Sequence, residues 1–321
     1  MKRTLLLTLL LFALSVLYGQ PAKFVLFPDT QSYLESCPEI LEKQVEAVTK
    51  NSPQYAAVIH LGDITQDNHP LEWYVAGKLF QSFDEANLPF TFSLGNHDIG
   101  SAPRKTADTR ESAGANKYFP IAAMKEKAYW GGSLTEKIDN HYILLSAGGI
   151  DWLIISLAFG VSDETLEWAN RIVAQHPDRK VILNTHAYMY FDDTRMGKGD
   201  NGLPQHYGIG KDTSTSVNDG EQIWAKFVSN HANIMAVVSG HVTGSGVGTL
   251  VSTGKNGNRV YQMLSNYQRE IENAVPASKG YYRILTFDKA SRRIEVETIS
   301  AVTGEKHPSE KHNFIFENVD F

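Results

Sequence analysis

Five apolar runs in this sequence of 321 residues end in side chains that can bind cations. Phe27-Pro28-Asp29-Thr30-Gln31 follows the first run, Leu61-Gly62-Asp63 the second and Gly95-Asn96-His97-Asp98 the third. Asn184-Thr185-His186 and Ser239-Gly240-His241-Val242-Thr243 close two later ones. The carboxylates of Asp29 and Asp63, the amide oxygen of Asn96 and the imidazoles of His186 and His241 are ligands for divalent ions of the Mn, Fe, Zn or Mg kind. One Gly-Asp or Gly-His pair is an ordinary turn, but five in order at the ends of apolar runs form a constellation. Two such cations neutralise the charge that shields a phosphate ester from attack, and they lower the pKa of bound water. A histidine beside a carboxylate, as in His97-Asp98, can protonate a leaving oxygen near neutral pH.

Residues this far apart converge outside the carboxyl ends of the strands of an α/β sheet. Residues 23–27, 55–61 and 89–94 read as strands, with helices over 38–50 and 71–86 between them. Residues 142–147 and 151–157 read as a strand pair, and Ser162 with Asp163 and Glu164 as a helix start. A strand over 180–185, a helix over 220–230 and a strand over 234–239 follow. The last third is strand-like over 247–253, 259–264, 281–288 and 292–300, without helices between, which predicts antiparallel strands closing the sheet system. Residues 187–219 form a long polar stretch without period, read either as a functional loop or as a surface insertion.

Hydrophobic residues make up 42% of the chain and charged residues 21%, an ordinary globular balance. Lys and Arg number 30 against 36 Asp and Glu, a formal charge of −6, so there is no electrostatic case for a nucleic-acid surface or an anionic membrane partner. Cys37 is the one cysteine, which excludes an internal disulfide. Met1-Lys2-Arg3 precedes an apolar run from Leu5 to Leu17 that gives way at Gly19-Gln20, the layout of a secretory signal peptide over residues 1–19. That predicts an exported chain, periplasmic or extracellular, with residues 20–321 as a single domain and no membrane span after cleavage.

The order Asp29-Thr30-Gln31, Gly62-Asp63, Gly95-Asn96-His97-Asp98, His186 and Gly240-His241 resembles the calcineurin-like metallophosphoesterase superfamily over roughly residues 24–243. Gly-Asn-His-Asp is its most specific element. The resemblance implies an α/β fold, a four-layer sandwich of two mixed β-sheets flanked by helices. It also implies two divalent metal ions drawn from Mn, Fe, Mg, Ca or Zn. By it, Asp29 binds the first ion, Asp63 bridges both, and Asn96, His186 and His241 complete the second, while His97 with Asp98 faces the leaving group. Gln31 and Thr243 stand where the family usually has histidines, and both lost imidazoles belong to the first ion. Gln31 still offers a carbonyl oxygen, so the first site is expected to be weaker and to prefer hard ions such as Mn, Mg or Ca over Zn. Asp-Thr-Gln also resembles a subgroup of exported bacterial phosphatase-like proteins.

The function implied is a phosphatase that prefers monoesters, small-molecule or protein, and uses a metal-activated hydroxide without a covalent phospho-enzyme. Two alternatives stand beside it: a phosphodiesterase or nucleotidase, and a non-catalytic metal- or phosphate-binding module with a degenerate first site. Asn116, Tyr118 and Gln268 are the candidate substrate contacts.

Overall fold

The computed structural model describes residues 19–269 and 279–321. The expected signal peptide therefore lies outside the described residues, except for its last residue. Strands β1 (Ala22–Phe27), β2 (Ala57–His60) and β3 (Phe90–Phe92) run parallel. A second sheet of seven takes β4 (Trp130–Thr135), β5 (Lys137–Ala147), β6 (Ile150–Leu157), β7 (Lys180–Thr185), β8 (Ile234–Ser239), β9 (Val247–Thr253) and β10 (Arg259–Ser265). The chain then returns to the first sheet with β11 (Tyr281–Asp288), β12 (Arg293–Ser300) and β13 (Phe314–Phe316). The two orders are β13-β12-β11-β1-β2-β3 and β4-β5-β6-β7-β8-β10-β9. Both sheets are mixed: β11 lies antiparallel to β1, and β10 parallel to β8.

Alternation along the strands makes the layers. Phe24 and Leu26 join one core with Ile59, Trp152, Ile154, Ile182 and Phe287, whereas Val25 and Phe27 join another with Val58, Leu41, Val45, Trp73 and Phe80. Successive side chains of a strand point to opposite faces, so β1 is buried on both. The first core lies between the sheets, where Phe24 meets Trp152 edge-on at 5.1 Å between ring centroids. The other is covered by helices Pro38–Lys50 and Pro70–Glu85 on one sheet and Asp163–Gln175 on the other. Each large apolar side chain buried this way contributes about 1.5–3 kcal/mol. Ser162 caps the third helix, its hydroxyl accepting from the Thr165 N–H at 3.1 Å. The result is the four-layer α/β sandwich. Among the described residues, no helix is long and apolar enough to cross a membrane.

The strands of the last third close the sheet system in antiparallel pairs, as expected, but are divided between the sheets: β9 and β10 complete the second, with β10 parallel to β8, while β11 to β13 complete the first. Strand β1, apolar on both faces, needs a neighbour on each edge, and β11 supplies the second. Residues 187–219 are not a loose insertion. Ala187, Tyr188 and Met189 are buried, Met189 bridges to Arg195, and Pro204–His206 and Gly208–Lys211 form short helical turns.

Candidate metal centre

Parallel strands with their carboxyl ends together bring the five motifs to one edge of the sandwich. Two links tie the sheets there: the Asn184 amide donates to the His60 carbonyl at 3.0 Å, and His186 Nδ1–H donates to the Leu61 carbonyl at 2.8 Å. The backbone turns sharply at three of the candidate ligands. Asp29, Asp63 and His241 have φ of 40°, 52° and 71°, left-handed values that side chains other than glycine rarely adopt. Such strain costs of order 1–3 kcal/mol per residue and persists where the surrounding structure holds it. The adjacent glycines are steric requirements. A Cβ on Gly95 would collide with the Asp63 carboxylate and backbone, and one on Gly240 with the Asp29 carboxylate.

The side chains then interlock. Asp29 Oδ1 accepts from the His241 backbone N–H at 2.9 Å, and Asp63 Oδ1 accepts from the His97 N–H at 2.9 Å. His186 Nε2 lies 3.1 Å from Asp63 Oδ2 and 3.9 Å from Asp29 Oδ1. Its Nδ1 is committed to Leu61, so Nε2 is the nitrogen left for a ligand. His241 Nε2–H donates to the Gly202 carbonyl at 2.8 Å, which leaves Nδ1 in that role.

Burial and like charge push the Asp29 carboxyl well above its ordinary range, Asp63 and Asp98 adding to the burial and His186 opposing it. At Asp63 burial acts the same way but is outweighed by His186, His97 and His241, so its carboxyl is held low. Burial works against a proton on His186, yet Asp63 and Asp29 raise it to about 9. His241, buried and facing His186, falls to about 4.

The donor set fits divalent cations. Ligand atoms of Asp63, His186 and His241 lie within 4.8 Å of one another. Asp29 Oδ2, Gln31 Oε1, Asn96 Oδ1 and His186 Nε2 are all buried without a hydrogen-bond partner. Buried polar atoms are normally satisfied, and the orphans of Asp29 and His186, side chains that face each other beside Asp63, mark a place built for an electrophile. Gln31 is buried, its Oε1 without a partner, and Thr243 lines a neighbouring cavity.

His97 and Asp98 separate. The His97 ring gives Nδ1–H to the Gln66 carbonyl at 2.6 Å, whereas the Asp98 carboxylate is fully buried and takes the N–H groups of Ile64, Thr65 and Gly95 and the Thr65 hydroxyl at 2.8–3.0 Å. The expected His97–Asp98 pair is therefore corrected. Asp98 clamps the Asp63 turn to the Asn96 turn, and a backbone carbonyl orients the histidine. Burial and the Asp63 charge raise Asp98 to about 6.

The candidate substrate contacts scatter. Asn116 binds Ser112, Asp139 and the Ile138 N–H, and Tyr118 packs on Tyr74. Ser112 aside, their partners lie on β5 for Asn116 and on the helix Pro70–Glu85 for Tyr118. Gln268 accepts from the Asn266 amide at the rim of the neighbouring cavity. The long loop supplies what sequence reasoning missed. Gly202 holds His241, and Tyr207 with Phe159 walls the basin, the Phe159 ring lying 5.3 Å from His241. Burial, with Asp63 nearby, pushes the Tyr207 hydroxyl up to about 12. Lone aromatics in aperiodic segments carry no sequence signal of that placement.

Comparison with known proteins places the fold and the family. Over 298 residues the chain is 31% identical to a Bacillus subtilis (strain 168) protein named uncharacterized protein YvnB, covering 89% of this chain and 21% of that relative, so it spans about a fifth of the relative's length. The yellow lupin purple acid phosphatase PPD1 shares the fold at a TM-score of 0.54 and 13% identity, over 92% of this chain and 54% of that one. The profile of the calcineurin-like phosphoesterases matches residues 22–243. The chain accordingly belongs to the calcineurin-like phosphoesterase family, hydrolases that act on phosphoester bonds.

Proposed function

We propose that this chain hydrolyses phosphate esters, monoesters in preference to diesters, at a centre of two divalent cations, and that it does so after export. The observation that carries the reading is the convergence of Asp63, His186 and His241, whose ligand atoms lie within 4.8 Å of one another, beside a buried Asp29 carboxylate whose Oδ2 has no partner, on turns strained at Asp29, Asp63 and His241. Asp63, Asn96, His186 and His241 would hold one cation, Asp29 and Gln31 the other, with Asp63 shared because its carboxylate has two oxygens. When bound, such ions supply charge neutralisation for the phosphoryl oxygens and acidify water.

The remaining work falls to the chain itself. The Asp63 carboxylate holds the His97 backbone, and Gln66 fixes the Nδ1 proton, so His97 presents Nε2 to the leaving oxygen. As the P–O bond breaks, that oxygen keeps the electron pair and takes the proton from Nε2 of the protonated ring. Phe159 and Tyr207 narrow the access of bulk water to the basin. The Lys2-Arg3 start and the apolar run behind it support the export reading.

The test is elemental analysis of the purified protein with initial rates on an aryl phosphate and its bis-aryl ester in Mn, Mg, Ca and Zn. Two ions per chain and a faster monoester rate are expected. Equal or diester-biased rates would make it a phosphodiesterase. One ion without turnover would leave a binding module, with the defect at Gln31 and Thr243.

A further inference from the structure

Beside the metal basin, at the same end of the sheets, lies a second cavity of about 360 Å³. Thr243, two residues beyond His241, lines it together with Gly246, Asn266, Arg269, His307 and His312. Two residues of extended chain span at most about 7 Å, so the cavity and the basin are adjacent. Strand register agrees, since Leu264 pairs with Ser239 just before His241, and Arg283 pairs with Leu26 just before Asp29.

Arg283 does not line this cavity; it is fully buried and reaches the cavity wall through Thr298. Its Nε donates to the Thr298 hydroxyl at 3.3 Å and its Nη1 to the Leu264 carbonyl at 3.1 Å, while Nη2 has no partner. Among the described residues no carboxylate forms an ion pair with it. A buried guanidinium is normally matched by an anion, because removing its charge from water costs several kcal/mol or more. The Thr298 hydroxyl donates in turn to the His312 carbonyl at 2.9 Å, which joins the arginine to the cavity wall. There the His307 and His312 rings stack at 3.6 Å, and His312, 7% exposed, leaves Nδ1 without a partner. His307 accepts the Ser309 N–H on Nδ1, so its proton sits on Nε2. Burial, the paired ring and Arg283 together hold His312 down to about 3.

We propose that this cavity binds a second anionic group, phosphate or carboxylate, of the same substrate whose phosphoester lies at the metal basin. The substrate class is then a bis-anionic phosphomonoester, and the proposal rests on the phosphoesterase reading. The two imidazoles and the main chain of the glycine-rich turn supply hydrogen bonds, and Arg283, linked to the wall through Thr298, adds positive charge from behind it.

The test compares butyl phosphate with butane-1,4-diol bisphosphate on the Mn-loaded protein, in the wild type, His312→Asn and His307→Asn, the half-buried His307 guarding against a His312 variant that does not fold. The bisphosphate should show a KM lower by about tenfold, beyond the twofold statistical factor, with kcat little changed, and each variant should lose that advantage. Calorimetric titration of the EDTA-treated protein with inorganic phosphate gives the second readout. Binding in the wild type that weakens in both variants supports the cavity.

Equal kcat/KM for the two esters, with both hydrolysed, overturns the inference and leaves the phosphoesterase reading standing. Phosphate binding without any preference for the bisphosphate identifies free phosphate as the ligand and overturns the substrate version. If neither ester is hydrolysed in any metal, the phosphoesterase reading fails. The titration then decides alone: a phosphate heat lost in the variants keeps an anion site, and no heat removes it.

Discussion

Asp29, Asp63, Asn96, His186 and His241 stand at the strand ends around one buried basin, whereas His307 and His312 line the cavity next to it, with Arg283 joined to its wall through Thr298. The acceptor side is assembled from turns that follow five strands, three of them strained at the ligand itself. The cationic side is anchored differently, with Arg283 inside the regular strand β11 and His312 in a short turn held by Thr298. Ligands that converge on a point must leave their strands, and left-handed turns aim them. A long guanidinium reaches Thr298 and the Leu264 carbonyl from within a regular strand. The strain therefore marks where geometry must be held most tightly.

Asp63→Asn should break the acceptor side most severely, because one carboxylate serves both proposed cations and also holds the His97 turn. Turnover should fall by about 10³-fold or more and bound metal with it, read by initial rates beside elemental analysis. Unchanged metal content would remove Asp63 from the shared position. His97→Asn sharpens the same side without touching the ligands. An alkyl phosphate should slow by about 10²–10⁴-fold at constant metal content, and an aryl phosphate less, since its leaving group needs the proton less. Full activity on the alkyl ester would end the role given to His97.

Asp98→Ala separates clamping from chemistry. It strands three N–H groups and a hydroxyl, so chemical denaturation should show about 4 kcal/mol of lost stability. His141 provides a histidine outside both clusters. Fully buried between Thr91 and the Ile138 carbonyl, it is lowered by that burial from 6.5 to about 4. The unfolded chain takes up this proton first. Its contribution is therefore present above pH 6.5 and is lost as pH falls toward 4, by about 3 kcal/mol, and urea midpoints in a His141→Gln variant should lack that slope. Gln31→His is the smallest change, returning an imidazole to the first proposed ion. It should move metal preference toward Zn with rates within about tenfold of wild type, and an unaltered preference would take Gln31 out of the ligand set.

Most strands and the three long helices were legible in the chain, because apolar runs of 4–8 residues bounded by Gly, Asp and Asn repeat the physics that forms them. Ser162 announced the Asp163–Gln175 helix through its capping hydroxyl. The edge strand β4, half-buried and containing Gly131-Gly132, carried no alternation strong enough to read. The motif residues Asp29, Asp63, Asn96, His186 and His241 were legible for a similar reason: each is one residue type at the end of one run.

The sequence by itself determined which residues end the strands, the order in which they occur, and the replacement of two imidazoles by Gln31 and Thr243. Tertiary structure alone decided their partners. Asp98 is next to His97 in the chain, yet its carboxylate turns to Thr65 and Ile64, because buried backbone N–H groups across the turn need an acceptor more than a half-exposed ring does. Gly202 meets His241 across 39 residues and Arg283 meets the Leu264 carbonyl of the other sheet, contacts fixed by which sheet each strand joins. A hydrogen bond depends on distance and direction in space. Chain order fixes those only between neighbours, and packing fixes them everywhere else.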